Sequence, residues 1–229
     1  MATIATAEPL TGELATLVMS AFGCDDGVAA TMCAAARHRR FATQAVILTS
    51  EREDQDVHLL ADGQARLVAD SIEGRLVVIE DYGVGELIGL TGLFGWDGVP
   101  AQVVSVGASR TGSFANHVFL RLMAAHSAIA LAISRMLVTR LAAANRRVAE
   151  NATLSAPGRI HAEILRRAQS SEGMTIRPMP VFSELALALQ TTRESVSRAV
   201  SALERRGIVK RVDGGLAIVA PHRLEELIY

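Results

Sequence analysis

Apolar positions along this chain follow two periods, and the change from one to the other marks its regions. Leu10, Leu14, Leu17 and Val18 recur at helical spacing, so residues 8–40 read as one or two short helices. From Phe41 the pattern becomes short β-type runs at 45–48, 57–60, 65–68, 76–79 and 103–106. Turn signals separate the runs: Ala-Asp-Gly at 61–63, Glu-Gly at 73–74 and Tyr-Gly-Val-Gly at 82–85. Short strands at roughly ten-residue spacing predict a small antiparallel barrel or sandwich.

After Ser113 the helical period returns and holds to about Ala149, with no glycine or proline and an excess of Ala, Leu and Arg. Such a run makes a rod of about 50 Å at ~1.5 Å per residue. Two apolar stripes run along it: Leu122, Ile129, Ile133 and Met136 on one side, Leu120, Leu131, Val138 and Leu141 on another. A helix with two apolar faces needs two partners. The β-region of its own chain supplies one, and the same helix of a second subunit is expected to supply the other. Residues 151–158 (NATLSAPG) break the pattern with turn formers and Pro157, a domain boundary. The expected division is a β-domain over 1–113, a long dimerisation helix over 114–150 and a compact domain over 151–229.

Within the last part, residues 156–168 read as a helix with Ile160, Ile164, Leu165 and Ala168 inward, and 174–181 as an extended segment broken by two prolines. Ser183 is placed to cap a helix over 184–189. Thr191 or Thr192 is placed to cap the next, which runs to about Arg206 and ends at Gly207. Two short helices joined by a tight turn predict a helix-turn-helix. Ala186 is small where the second helix crosses the first, and Val196 and Leu203 close the core. The turn carries Gln190 where a glycine with positive φ is usual. With Val196, Val200 and Leu203 inward, Arg193, Glu194, Ser197 and Arg198 face the other way, beside Thr192 and Ser195. That is the position from which a recognition helix reads base edges: arginine grips guanine O6 and N7, and glutamate accepts from cytosine N4. Residues 207–219 read as two strands around a Gly-Gly turn, a wing whose Lys210 and Arg211 reach toward phosphates.

Charge agrees with this reading. The net charge of -1 hides a basic excess at the C-terminal end, where residues 191–211 hold six basic and two acidic side chains. Aromatic residues are 4% of the chain, too few for a surface that stacks single-stranded bases. The two cysteines, Cys24 and Cys33, read as idle thiols in a reducing compartment, and no metal site is expected of them. The first residues lack a signal-peptide pattern. The longest uncharged apolar stretch, 122–134, is too short to span a bilayer, so a cytoplasmic protein with no membrane partner is expected. No Ser/His/Asp set, Walker loop, paired-carboxylate cleft or HExxH motif marks an enzyme, and no catalytic residue is assigned.

The order β-region, long helix, Gly158-Arg159-Ile160 and winged helix, with R-E-S-V-S-R at 193–198, resembles the Crp/Fnr superfamily (cyclic-AMP receptor and fumarate-nitrate regulators) over nearly the whole chain. The resemblance implies an α+β fold: a cyclic-nucleotide-binding-like β-roll, a long dimerisation helix and a C-terminal winged helix-turn-helix. It also implies a homodimer on palindromic double-stranded DNA with TGTGA-like half-sites read by Arg193, Glu194 and Arg198, and RNA polymerase as a further partner. Gly85-Glu86-Leu87 matches the start of the family's phosphate cassette, whose glutamate holds the ribose of cyclic AMP. The cassette arginine has no counterpart, since no arginine lies between Arg75 and Arg110 and Pro100-Ala101 stand near its place. Near the end of the long helix, Ala144-Asn145 fall where hydroxyls contact adenine in the family. Cyclic-AMP binding is therefore expected to be weak or absent, with Glu86 a structural remnant or serving a different ligand. A cyclic nucleotide or dinucleotide sensor is the alternative reading. The family's four-cysteine iron–sulfur mode has no ligands here, and His58, His117 and His126 read as packed or solvated, not as haem ligands.

Overall fold

A computed structural model describes residues 11–49, 56–70, 76–94 and 100–228. Leu10, the Glu-Gly turn at 73–74 and the 95–99 part of the cassette region lie outside the described residues. The chain divides into two compact units, Met1–Arg140 and Leu141–Tyr229.

The first unit opens with helices α1 (Thr11–Phe22) and α2 (Asp26–Ala35), the latter capped where Asp25 Oδ1 accepts from the Val28 amide at 2.9 Å. Strands β1 (Arg37–Phe41), β2 (Val46–Thr49), β3 (Val57–Asp62), β4 (Ala65–Asp70), β5 (Leu76–Tyr82), β6 (Leu87–Ile88), β7 (Gln102–Ser105) and β8 (Ser109–Phe114) follow. They pair antiparallel in two four-stranded sheets, in the orders β1-β8-β3-β6 and β2-β7-β4-β5. Strand alternation splits the core. Val57, Leu59, Leu87 and Phe114 pack against α1 and α2 through Leu14, Val18, Phe22 and Met32. Leu60 and Ile88 turn the other way to meet Ala65, Tyr82 and Val103. At the 61–63 turn, Gly63 has φ +85° and a Cβ there would lie 2.5 Å from the Ala108 carbonyl oxygen, so this bend admits only glycine.

Three expectations need correction here. Residues 37–40 were expected at the tail of a helix and instead form β1, an edge strand of sequence RHRRF. Its charges hide it from a hydrophobic pattern, and charge on an edge strand guards against further pairing. Strand β8 runs on to Phe114, inside the span 114–150 expected to be helical, and the helix starts only at Asn116. The long helical run is also two helices, α3 (Asn116–Ala125) and α4 (Ser127–Thr153), because His126 takes an extended conformation with φ -128°.

One apolar stripe of this run, Leu122, Ile129 and Ile133, is buried in the first unit's core, with Met136 packed against it. Of the other, Leu120 also packs against that core, so only its later part is open: Leu131 is 52% exposed, Val138 66% and Leu141 62%. By length and composition α4 also passes as a membrane span, against the expectation from its uncharged stretch alone. Its burial of Ile129 and Ile133 is that of a helix packed on a protein core.

The second unit contains α5 (Ala156–Gln169), β9 (Thr175–Ile176), α6 (Phe182–Ala188), α7 (Arg193–Arg205), β10 (Val209–Val212), β11 (Gly215–Ile218) and α8 (Pro221–Glu225). Ser155 caps α5 by accepting from the Gly158 amide at 3.2 Å, with Pro157 in the first turn. A side chain at Gly158 would lie 2.6 Å from the Ile228 carbonyl oxygen, so glycine lets the C-terminal segment close over α5. Ile160, Ile164, Leu165 and Ala168 face inward as expected and join Val196, Val200, Leu203, Ile208 and Leu216 in one core. His161 is buried with them and its Nδ1 donates to the Leu227 carbonyl at 3.1 Å.

Candidate nucleic-acid interface

Helices α6 and α7 form the two-helix frame. Helix α6 begins at Phe182, one residue before Ser183, with Val181 as an N-cap that makes no side-chain bond, so the expected Ser183 cap is not formed. Ala186 is buried, and its carbonyl accepts from the Thr191 amide at 2.9 Å, which closes the turn. Gln190 takes φ +51° in that turn, the left-handed conformation that glycine usually supplies. For a residue with a Cβ it costs about 1–2 kcal/mol, which the packing of α6 on α7 must offset.

Thr192 is the cap of α7: its Oγ1 accepts from the Ser195 amide at 3.1 Å. Val196, Ala199, Val200 and Leu203 are buried along one face. At about 100° per residue, Glu194 and Arg198 project directly opposite that face, with Arg193 and Ser197 at its flank near the N-terminal end. Thr192, Arg193, Glu194 and Arg198 are exposed, while Ser195 and Ser197 are half-buried. The i,i+4 spacing of Glu194 and Arg198 invites an ion pair, but none forms. The Arg198 guanidinium reaches only Ser195 Oγ, at 3.3 Å, and Arg193 and Glu194 have no side-chain partner among the described residues. Apart from that bond, the charged groups at this edge are uncommitted among the described residues and exposed. The outward line continues through Ser201 and exposed Arg205, which the motif comparison left out.

The wing is the antiparallel hairpin β10–β11, with Val212 opposite Gly215, so its turn is Asp213-Gly214 and not the Gly-Gly expected. Lys210 is exposed on β10. Arg211 is not free to reach outward: its Nε donates to Glu204 Oε1 at 2.8 Å, and its guanidinium sits 5.9 Å from the Phe182 ring centre. Those contacts tie the wing to α7 and α6 and leave Lys210 as the wing's available cation.

In the first unit, Gly85 has φ +88° and its amide donates to the Leu60 carbonyl at 2.8 Å. Leu87 is fully buried in β6. Glu86 Oε2 accepts from the Gly83 amide at 2.6 Å. That bond folds the carboxylate back onto its own turn. Beside this turn lies a second cluster that no local pattern signals, in which Arg140 of α4 meets Glu80, Tyr82 and the Leu87 carbonyl. An arginine in a long helix reads as solvated, and only the folded chain shows otherwise.

Other chemistry is sparse. Among the described residues no group of three His, Cys, Asp or Glu side chains is placed to hold a metal ion. Cys24 and Cys33 are free, and burial raises both thiols above their ordinary pKa. His58 is buried in the sheet with Nδ1 3.1 Å from Thr111 Oγ1. Burial, with a smaller contribution from Arg39 and Arg37 against an opposing one from Asp56, pushes its pKa down to about 4.

Comparison with known proteins gives two family matches. Residues 38–126 match the cyclic nucleotide-binding domain, and residues 158–227 match the Crp-like helix-turn-helix domain. No curated protein matches the chain. Solved structures with the same fold include a CooA mutant from Carboxydothermus hydrogenoformans, 17% identical, with a TM-score of 0.77 over 99% of this chain and 98% of that one. CLP of Xanthomonas campestris, described as a c-di-GMP responsive global regulator, is 19% identical, with a TM-score of 0.71 over 85% of this chain and 99% of its own. FixK2 of Bradyrhizobium japonicum is 17% identical, with a TM-score of 0.69 over 85% of this chain and 98% of its own.

Proposed function

Because the chain belongs to the Crp/Fnr superfamily of transcription regulators, we propose that it binds palindromic, TGTGA-like DNA sites as a homodimer without requiring cyclic AMP. Residues 1–113 form the effector domain, 114–150 pair the two subunits and 151–229 read DNA. The observation that carries this reading is the capped, protruding edge of α7, where Arg193, Glu194 and Arg198 are exposed and not engaged by one another. A side chain already spent on an internal ion pair must break it to meet a base, and these need not. Ser197 and Ser195 flank the readers, Thr192 fixes the helix start, and Lys210 supplies a phosphate contact from the wing.

Pairing of subunits through α4 is supported by its open apolar stripe, Leu131, Val138 and Leu141. Symmetric pairing of two reading helices is what a palindrome requires. RNA polymerase is the partner through which such a regulator acts on transcription.

Independence from cyclic AMP is supported at the Gly85-Glu86-Leu87 turn. Glu86 is already held by the Gly83 amide, the cassette arginine is missing, and Arg140 beside the turn is already engaged by Glu80 and the Leu87 carbonyl, so a buried phosphate here carries a large desolvation cost. The second reading, a nucleotide or cyclic-dinucleotide sensor, is favoured by the family match over residues 38–126. The experiment is selection of genomic fragments by the purified protein, with and without cyclic AMP, cyclic GMP and cyclic di-GMP, paired with titration calorimetry. Enrichment of one palindrome in all arms supports the proposal. Enrichment only in a nucleotide arm, with matching heat, supports the sensor, and no enrichment in any arm refutes DNA reading.

A further inference from the structure

The Arg140 cluster is not absorbed by DNA reading. The guanidinium side chain is only 17% exposed and has three different partners. Its Nε lies 3.1 Å from Glu80 Oε1, its Nη2 donates to the Leu87 carbonyl at 2.6 Å, and its centre sits 4.9 Å from the Tyr82 ring centroid. The Tyr82 hydroxyl in turn donates to Glu80 Oε2 at 2.9 Å. Burial, followed by the charge of Glu80, pushes the Tyr82 hydroxyl's pKa upward, so the phenol keeps its proton and remains a donor. One residue of α4 is thereby fastened to β5, through Glu80 and Tyr82, and to β6, through Leu87.

An arginine held this way is costly to leave unpaired, because a desolvated guanidinium needs its carboxylate and its carbonyl together. Position adds meaning to the chemistry. Leu87 is the last residue of the Gly-Glu-Leu turn. Helix α4 is continuous from Ser127 to Thr153, and its residues beyond Arg140 belong to the second unit. The clasp is therefore set on the helix at the last residue of the first unit, against the turn where an effector would be held.

We propose that Arg140 is a built-in clasp. It fastens α4 to the Gly85-Glu86-Leu87 turn through Glu80, Tyr82 and the Leu87 carbonyl, and so sets the DNA-binding state without a ligand. The inference rests on the reading of α7 as the DNA-contacting helix. Arg140 touches neither DNA nor effector; it is a positioning residue.

The test uses the full-length protein as Arg140→Leu, Glu80→Gln and the double variant, with Arg140→Lys as the conservative change. Each is compared for duplex affinity on the fragment selected by the wild type and for amide exchange along 134–145. The clasp predicts at least a tenfold loss of affinity in Arg140→Leu, with faster exchange confined to that stretch and an unchanged dimer by sedimentation. The double variant should be no weaker than the worse single, because both break one device. Arg140→Lys should recover part of the affinity, since lysine keeps the charge and loses the fork. Affinity within twofold of wild type, or a rise, in a folded Arg140→Leu dimer overturns the clasp. If Arg140→Leu fails to fold, Glu80→Gln decides by the same two readouts. A wild type that selects no duplex refutes the DNA reading alone, and exchange along 134–145 still decides whether Arg140 fastens the helix.

Discussion

His58 gives the sharpest quantitative test of the first unit's packing. Its ring sits on β3 with Nδ1 toward Thr111 and its edge toward Phe41, whose ring centroid is 6.0 Å away. The native state favours the neutral ring, because burial opposes the charge more than Asp56 relieves it, and Arg39 and Arg37 add to that opposition. On acidification the unfolded chain therefore takes up the proton first. The contribution to stability is complete above the unfolded pKa of about 6.5 and is lost as pH falls toward the native value of about 4. Linkage between those values removes about 2 kcal/mol between roughly pH 7 and pH 5, and about 3 kcal/mol by roughly pH 4. The assay is urea denaturation of wild type and His58→Asn across this range, so that other titrating groups cancel in the difference. The variant is expected to be less stable near neutrality and to lose less on acidification. An equal pH slope in both proteins, or a His58 ring that titrates near 6.5 by NMR, refutes the reasoning.

Val196 is fully buried at the crossing of α6 and α7. Val196→Ala should cost about 2 kcal/mol and lower the second unit's melting temperature by roughly 10 °C in a calorimetric scan. Thr192→Ala removes the α7 cap and should cost about 1 kcal/mol, visible as faster amide exchange over 193–196 before any change elsewhere. Lys210→Ala should weaken all duplexes alike and reduce the magnitude of the salt slope of log affinity by about 0.9, measured by anisotropy over a salt series. A change in its sequence preference would move Lys210 from phosphate contact to base reading.

The parts legible in the sequence are those where local chemistry and burial agree. Helix α7 announces itself through a threonine cap, a buried stripe of Val196, Val200 and Leu203, and Gly207 after its end, all residues that act within one turn of where they stand. Helix α5 is legible for the same reason, through Ser155, Pro157 and its inward Ile160, Ile164 and Leu165. Strand β1 was not, because Arg37, His38, Arg39 and Arg40 look like a solvated helix end until β8 pairs with them. The break at His126 was hidden because nothing in Ala-His-Ser forbids a helix, and the extended backbone there shows only in the folded chain. The Arg211–Glu204 tie and the Arg140 clasp join residues of separate elements, so no local pattern encodes them. At the DNA-reading edge the sequence identified residue types and their side of the helix. That the Glu194–Arg198 pair stays open is a property of the folded surface.

The central claim is that the polar edge of α7 enters duplex DNA and reads it. Its most direct measurement is equilibrium binding of the wild type and of Arg193→Ala/Arg198→Ala to a selected palindrome and to a scrambled duplex of equal length and charge. Both arginines are exposed, so the double variant should fold as the wild type does. Its preference for the palindrome should collapse by roughly 2–6 kcal/mol, from ~1–3 for each lost base contact, while its affinity for the scrambled duplex falls much less. A folded double variant that keeps the wild-type preference would contradict the account.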